Sequence, residues 1–276
     1  MHSFNESSTQ QVSAYFKGEI VNLRLPSAER PIVGHDLLWG RAEEIGSPAY
    51  WAAQAWMWEL EEPDHYRLGR TLREEVLACL LGGYGIPAEV GLAAYERLRR
   101  FSVADLHNEG FVRAALAEPL SVRGRSVRYR FVQQKAHHVA LSMAGMDQID
   151  SEISDRELRD ALICLPGIGP KTASWVVRNW RGSDHVSILD VHIVRACRAL
   201  GVFKSSWRVE RHYSLMEEAY LSFARAVGAR ASILDSVMWM TMRRLPTSIV
   251  VAMGLSPSSN DRAPLKAVDM KQLTLL

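Results

Sequence analysis

Lys171 stands at the end of Leu165-Pro166-Gly167-Ile168-Gly169-Pro170, and Asp190 follows nineteen positions later at the close of the apolar run Val186-Ser187-Ile188-Leu189. A lysine at the start of a helix opposes the helix dipole, so its charge belongs at the other end. A role as nucleophile or Schiff-base former is one reason to tolerate a lysine there. A solvated surface lysine is the alternative for this residue taken alone. Asp190 precedes the helical pattern of Ile193, Val194, Cys197 and Leu200, where a carboxylate serves as an N-cap. A carboxylate at that place could also stabilise developing positive charge. Lys171, Trp175 and Arg178 share the helical face opposite Ala173, Val176 and Val177. Trp175 there is either a pocket wall or is buried against another part of the protein.

The elements that must hold these groups are legible around them. Ser154 and Glu157 have capping-box spacing, and Leu158, Ala161, Leu162 and Leu165 fall on one helical face. Pro166 and Gly167 stop that helix, Gly169 permits close backbone approach, and Pro170 suits the opening of a second helix with a buried stripe at Ala173, Val176, Val177 and Trp180. Free backbone N–H groups around Gly169, Lys171 and Thr172 would then face a phosphate, unless the turn is only a tight helix connection. A nucleotide-binding P-loop is excluded, because it needs glycine where Pro170 and Leu165 stand.

Further helices are expected from Ser47-Pro48 onward and at about 67–81, 87–100, 109–118, 127–143, 154–164, 171–180, 191–200, 208–227 and 231–243. Ile20 to Leu25 could be a strand, with no obvious hairpin partner, and the first fifteen and last twenty or so residues are left unassigned. The fold class is mainly α. No carboxylate occurs between Glu118 and Asp147, whereas Arg123, Arg125, Arg128, Arg130, Lys135, His137 and His138 do. That basic strip suits DNA, or is a solvated helix face.

At 276 residues and 31.0 kDa, two domains are expected. With 47% hydrophobic and 23% charged residues the chain excludes intrinsic disorder, collagen-like repeats and coiled coil as overall descriptions. No apolar run is long enough to cross a bilayer and the first residues are too polar for a secretory signal, so no membrane partner and an intracellular location are expected. Cys79, Cys164 and Cys197 are too few for a disulfide framework or a four-cysteine metal or iron-sulfur site. The formal charge of +2 means that nucleic acid must be held by a local basic surface.

Leu165-Pro166-Gly167-Ile168-Gly169-Pro170-Lys171 together with Leu189-Asp190-Val191-His192 resembles the helix-hairpin-helix DNA glycosylase superfamily, whose signature is LPGxGxK followed by D-x-H. The resemblance is most specific over about forty residues and weaker from Glu74 to Arg244. It implies that Lys171 attacks the sugar of a damaged nucleoside, expels the base and forms a Schiff base that permits strand cleavage. Asp190 would support the cationic sugar and help to activate the lysine. Gly167, Gly169, Thr172 and His192 would touch DNA backbone, and carbonyls of Ile163, Leu165 and Ile168 would hold a monovalent cation, Na+ or K+.

Absence of the C-terminal four-cysteine loop of the endonuclease III and adenine glycosylase branches implies no iron-sulfur cluster and no required cofactor. It points to the 8-oxoguanine branch, as does Ile233-Leu234-Asp235-Ser236-Val237-Met238-Trp239, similar to the final helix of compact microbial members. Tyr84, in the loop Leu81 to Pro87, is the candidate wedge, though that loop could be a simple helix C-cap turn. Arg128 and Arg130 are the candidate backbone contacts of the basic strip. Trp175, Asp235 and Trp239 are candidates for recognising the base. The implied architecture is two helical domains with a cleft between them, residues 66–184 inserted between 1–65 and 185–276, acting as a monomer on damaged double-stranded DNA. Excision of another oxidised or alkylated base, or a non-catalytic helix-hairpin-helix protein, are the alternatives.

Overall fold

The computed structural model describes residues 9–61, 66–83 and 85–253. It is 55% helical, and the chain order runs β1 (Gln10–Phe16), β2 (Glu19–Leu25), α1 (Pro48–Leu60), α2 (Leu72–Leu81), α3 (Ala88–Leu98), α4 (Val103–Leu106), α5 (Glu109–Ala117), β3 (Leu120–Val122), β4 (Arg125–Val127), α6 (Val132–Gly145), α7 (Asp155–Ile163), α8 (Pro170–Arg181), α9 (Val191–Leu200), α10 (Val209–Ala226), α11 (Ala231–Arg244) and α12 (Thr247–Ala252). The fold is mainly α. Two compact units share the chain. Among the described residues one takes 9–61 and 187–253, and the other takes 66–83 and 85–186.

In the first unit α1 packs on α11, which packs on α9. Trp51, Tyr220, Phe223, Leu234 and Met238 are fully buried there, each large apolar side chain contributing about 1.5–3 kcal/mol relative to exposure. Ser47 caps α1 by accepting from Tyr50 N at 3.0 Å, and Pro48 follows at the first turn, where its missing N–H costs nothing. The predicted strand at 20–25 has a partner after all. Residues 10–16, most of them within the unassigned first fifteen, pair with it antiparallel through a Lys17-Gly18 turn with φ of 47° and 92°. Alternation in Val12, Ala14 and Phe16 and the basic-Gly turn were the overlooked signals.

In the second unit α2 packs on α3, α6 and α8, and α7 on α8. A buried carboxylate ties this unit together. Glu75 on α2 accepts from Leu68 N at 2.7 Å, Gly69 N at 2.8 Å and Asn179 Nδ2 on α8 at 2.9 Å. Burial pushes its pKa up, and these donors work against that shift. The helix predicted at 67–81 therefore begins only at Leu72: residues 66–69 leave the helical path to be bound by Glu75, Thr71 caps the helix, and a side chain at Gly69 would strike Glu75 N at 2.3 Å. The helix predicted at 127–143 begins at Val132, because Leu120–Val122 and Arg125–Val127 form a hairpin instead. Ser154 and Glu157 make the predicted capping box on α7.

Candidate functional site

α7 ends at Ile163, and the chain reverses through Cys164 to Gly169 before α8. Leu165 and Ile168 anchor the turn, at 6% and 4% exposure, and Ile168 N donates to Leu165 O at 3.1 Å. Gly167 has φ +80°, and a Cβ there would lie 2.2 Å from His138 Nδ1 on α6. Glycine is thus required twice, by backbone conformation and by the imidazole beneath it. One turn along α6, Ser142 Oγ donates to Pro166 O at 2.7 Å, and a Cβ on Gly145 would meet Leu165 Cδ2 at 2.6 Å. The stripe His138, Ser142, Gly145 supports the hairpin. Nothing in the local sequence announced this, since a helix face two elements away creates the constraint.

Gly169 behaves differently. It is the N-cap of α8 with φ −97° and ψ 177°, an ordinary extended backbone, and a Cβ there would meet nothing within 4 Å. No side chain caps the helix, so the positive end of its dipole is not answered by the protein's own oxygen at that position. Lys171 and Thr172, both half-buried, lie in this first turn. Trp175, one turn on, is also half-buried and packs on Gly82, where a Cβ would come within 3.1 Å of Cη2. Arg178, expected beside them on the outer face, is instead buried, with its guanidinium carbon 4.3 Å from the Tyr66 ring centroid, because residues 66–69 cover that side of α8.

The basic strip divides. Arg123, Arg125, Arg128 and Arg130 are exposed. Lys135 turns inward, donating from Nζ to Leu80 O at 2.5 Å, and burial lowers its pKa. His137 meets Glu109 at 2.8 Å. His138 is held below the ordinary histidine value by partial burial, then by Lys135 and His137. Tyr129 is buried and donates to Leu81 O at 2.6 Å. The C-terminal end of α2 is thus tied down, and the candidate wedge in the loop after it, Tyr84, lies outside the described residues.

In the other unit Asp190 caps α9, its Oδ1 accepting from His192 N at 2.8 Å and Ile193 N at 2.9 Å. The stretch before it is pinned, Ser187 N donating to Glu217 Oε1 at 3.0 Å and Tyr213 Oη to Ser187 O at 2.6 Å. His192 meets Trp239 edge-on at 6.2 Å between centroids, and the Arg243 guanidinium lies 4.8 Å from the same indole. Asp235 is buried, at 5% exposure, and its charge adds to the burial that raises the Cys197 thiol. His192 and Trp239 are therefore brought together, while Asp235 faces the interior of α11's packing.

Among the described residues no three His, Cys, Asp or Glu side chains gather as a metal site, and none of the helices is long and apolar enough to cross a membrane.

Comparisons with known proteins bear on residues 68–229, which match the family model described as 8-oxoguanine DNA glycosylase. A comparison with curated proteins gives no match. Among solved structures the chain is similar to the 8-oxoguanine DNA glycosylase of Thermotoga maritima, at 22% identity over 61% of this chain and 77% of that one, TM-score 0.46. It is also similar to that of Methanocaldococcus jannaschii, at 21% identity over 63% and 78%, TM-score 0.48. A trapped endonuclease III–DNA covalent intermediate aligns at 20% identity over 66% and 81%, TM-score 0.44. The family match spans more than half of the chain and includes the glycine hairpin, Lys171 and Asp190, and on that ground the protein belongs to the 8-oxoguanine DNA glycosylase family.

Proposed function

We propose that this DNA repair glycosylase excises 8-oxoguanine from duplex DNA with Lys171 as its nucleophile and then cleaves the strand at the same lysine adduct. The neutral amine attacks C1′ of the damaged nucleoside, the glycosidic bond breaks, and its electron pair leaves with the base, which takes up a proton. The C1′–O4′ bond then breaks, O4′ takes up the proton that the attacking amine gave up, and an iminium is left between Lys171 and C1′. Loss of a C2′ proton then expels the 3′ phosphate. Asp190 is assigned the stabilisation of positive charge on the sugar and acceptance of the lysine's proton. The observation that carries this reading is the placement of Lys171 in the first turn of a helix that begins at Gly169 with no side-chain cap, within the family-matched segment.

Backbone N–H groups about Gly167, Gly169 and Thr172, with His192, Arg128 and Arg130, are assigned to DNA phosphates. Trp175 and Trp239 are assigned to stacking on the extruded base and Asp235 to its recognition. Asp235 is buried, so its assignment requires that the base reach it by a local opening of the packing around α11. A Na+ or K+ ion at the carbonyls of Ile163, Leu165 and Ile168 would bridge hairpin and phosphate. The Leu165 carbonyl already accepts from Ile168 N, and its second lone pair could serve the ion. No other cofactor enters, and the acting species is a monomer.

The experiment is borohydride trapping on a duplex with 8-oxoguanine opposite cytosine. The wild-type protein should give both cleavage and a covalent adduct, and Lys171→Gln should give neither while still binding DNA. Cleavage by Lys171→Gln at the wild-type rate would remove Lys171 from the mechanism. An adduct with an abasic site but not with 8-oxoguanine would keep the lysine and change the base.

A further inference from the structure

We infer that the β3–β4 hairpin is a second, lesion-independent DNA grip, holding phosphates of the duplex that flanks the damaged base, distinct from the glycine hairpin before α8. This rests on the reading that the chain acts on duplex DNA. The hairpin is short, with Leu120 paired to Val127, Ser121 to Ser126 and Val122 to Arg125. Leu120 is buried and β3 packs on α3, while both residues of the turn, Arg123 and Gly124, are exposed.

The turn is what sets this hairpin apart from a simple connection. Arg123 has φ +50° and Gly124 φ +73°, the two-residue primed turn that matches strand twist. Position one of such a turn favours asparagine, aspartate or glycine, because a longer L side chain with positive φ carries a steric penalty. Arginine occupies it nevertheless, and Arg125 follows immediately.

Charge gives the partner. Arg123, Arg125, Arg128 and Arg130 are all exposed, and no carboxylate falls within residues 119–146. Glu89 and Glu96 on α3 line a cavity of about 430 Å³ beside the hairpin with Arg97, Arg100 and Arg123. Arg97 there is committed to the carbonyls of Ala115, Glu118 and Pro119. Four exposed guanidinium groups within residues 123–130 of an otherwise nearly neutral chain fit a polyanion such as the DNA backbone.

The hairpin is also joined mechanically to the lysine helix. Tyr129, two residues beyond β4, donates to Leu81 O, and a Cβ on Gly85 would approach Arg130 Nη1 and the Phe131 ring at 3.4 Å. Gly82 in the same loop lies under Trp175, one turn from Lys171. A phosphate held at the hairpin would therefore be held at a fixed place relative to α8.

The test compares wild-type protein with Arg123→Gln/Arg125→Gln on lesion-free and 8-oxoguanine duplexes over a salt series. Removing two phosphate contacts should lower the slope of log K against log salt by about 1.8, since each contact contributes about 0.9. Affinity for both duplexes should fall by a similar factor, on the order of tenfold, while the single-turnover excision rate at saturating duplex stays at the wild-type value. Arg123→Asn supplies a second variant in which turn geometry improves. Its thermal midpoint should hold or rise while its salt slope falls by about 0.9. Unchanged slope and affinity in the double variant would overturn the grip. So would a loss confined to the lesion duplex, which would make these arginines part of damage recognition. Failure of the catalytic reading looks different: wild-type protein would bind both duplexes and excise nothing, with the arginine effect on binding intact.

Discussion

The two helices that carry the proposed chemistry begin in opposite ways. α9 opens on Asp190, whose Oδ1 takes up two N–H groups of the first turn. α8 opens on Gly169, with no side-chain cap and nothing within 4 Å of the place where a Cβ would be. The physics at both ends is the same: unsatisfied N–H groups and a positive dipole end seek a negative partner. α9 finds it in its own cap residue, and no side chain supplies it at the start of α8. Asp190 thus has a structural duty that is complete without catalysis, whereas Lys171 sits where a structural argument would put no cation. A carboxylate at a helix start is weak testimony of function, and an uncapped start carrying a lysine is stronger.

The sharpest way to break that contrast is at Asp190, where cap and chemistry can be separated. Asp190→Asn keeps an oxygen that can accept from His192 N and Ile193 N, so stability should change by no more than a few tenths of a kcal/mol, because asparagine caps about as well as aspartate. Base excision should nevertheless fall by about 10²–10³, the usual cost of removing one electrostatic stabiliser. Asp190→Ala should lose the same activity and also about 1 kcal/mol of stability. Single-turnover rates with paired thermal melts read both. An asparagine variant with wild-type rate would reduce Asp190 to its cap.

The next effect is at Gly167. Gly167→Ala must place a methyl at φ +80° and against His138, and the backbone penalty alone is about 1–2 kcal/mol. A melt should therefore fall by several degrees, each kcal/mol being worth about 2–4 °C in a chain of this size. Adding His138→Ala should recover the part of the steric cost that the imidazole ring imposes, while the contact to the retained Cβ at 2.9 Å and the backbone part remain, a coupling that a double-mutant cycle measures. Full additivity would mean that the imidazole does not support the hairpin.

These tests mark what could be read in the chain before its structure. The capping box at Ser154, the proline at the start of α8, the Asp190 cap and the mainly α class are local or periodic signals, and residues within four positions of one another produce them. Constraints between distant elements were not legible. His138 beneath Gly167, Glu75 binding residues 68 and 69 to Asn179, and the inward turn of Lys135 toward Leu80 O join positions tens of residues apart. Arg178 failed for the same reason: helical periodicity assigns a face, but only the path of residues 66–69 decides whether that face is covered. The two hairpins were missed on a different count. Their turns use Lys-Gly and Arg-Gly where the usual signal is Asn-Gly, so turn chemistry underrated them.

The smallest expected effect is the most diagnostic of the contrast between the two helix starts. Gly169→Ser gives α8 the cap that α9 already has. The backbone at Gly169 is extended, as an N-cap requires, and a Cβ has open space, so the substitution costs no strain. A serine hydroxyl accepting from the first-turn N–H groups should raise stability by no more than about 0.5 kcal/mol, since glycine is itself only a few tenths worse than the best caps. If those N–H groups serve a phosphate, the same hydroxyl competes with it and stands in its path. Affinity for duplex should then fall several-fold while the protein melts no lower. Stability and binding moving in opposite directions is the signature of a helix end reserved for a ligand. A variant that binds as tightly as wild type would mean that the α8 start is an ordinary turn, with Lys171 placed there for no phosphate's sake.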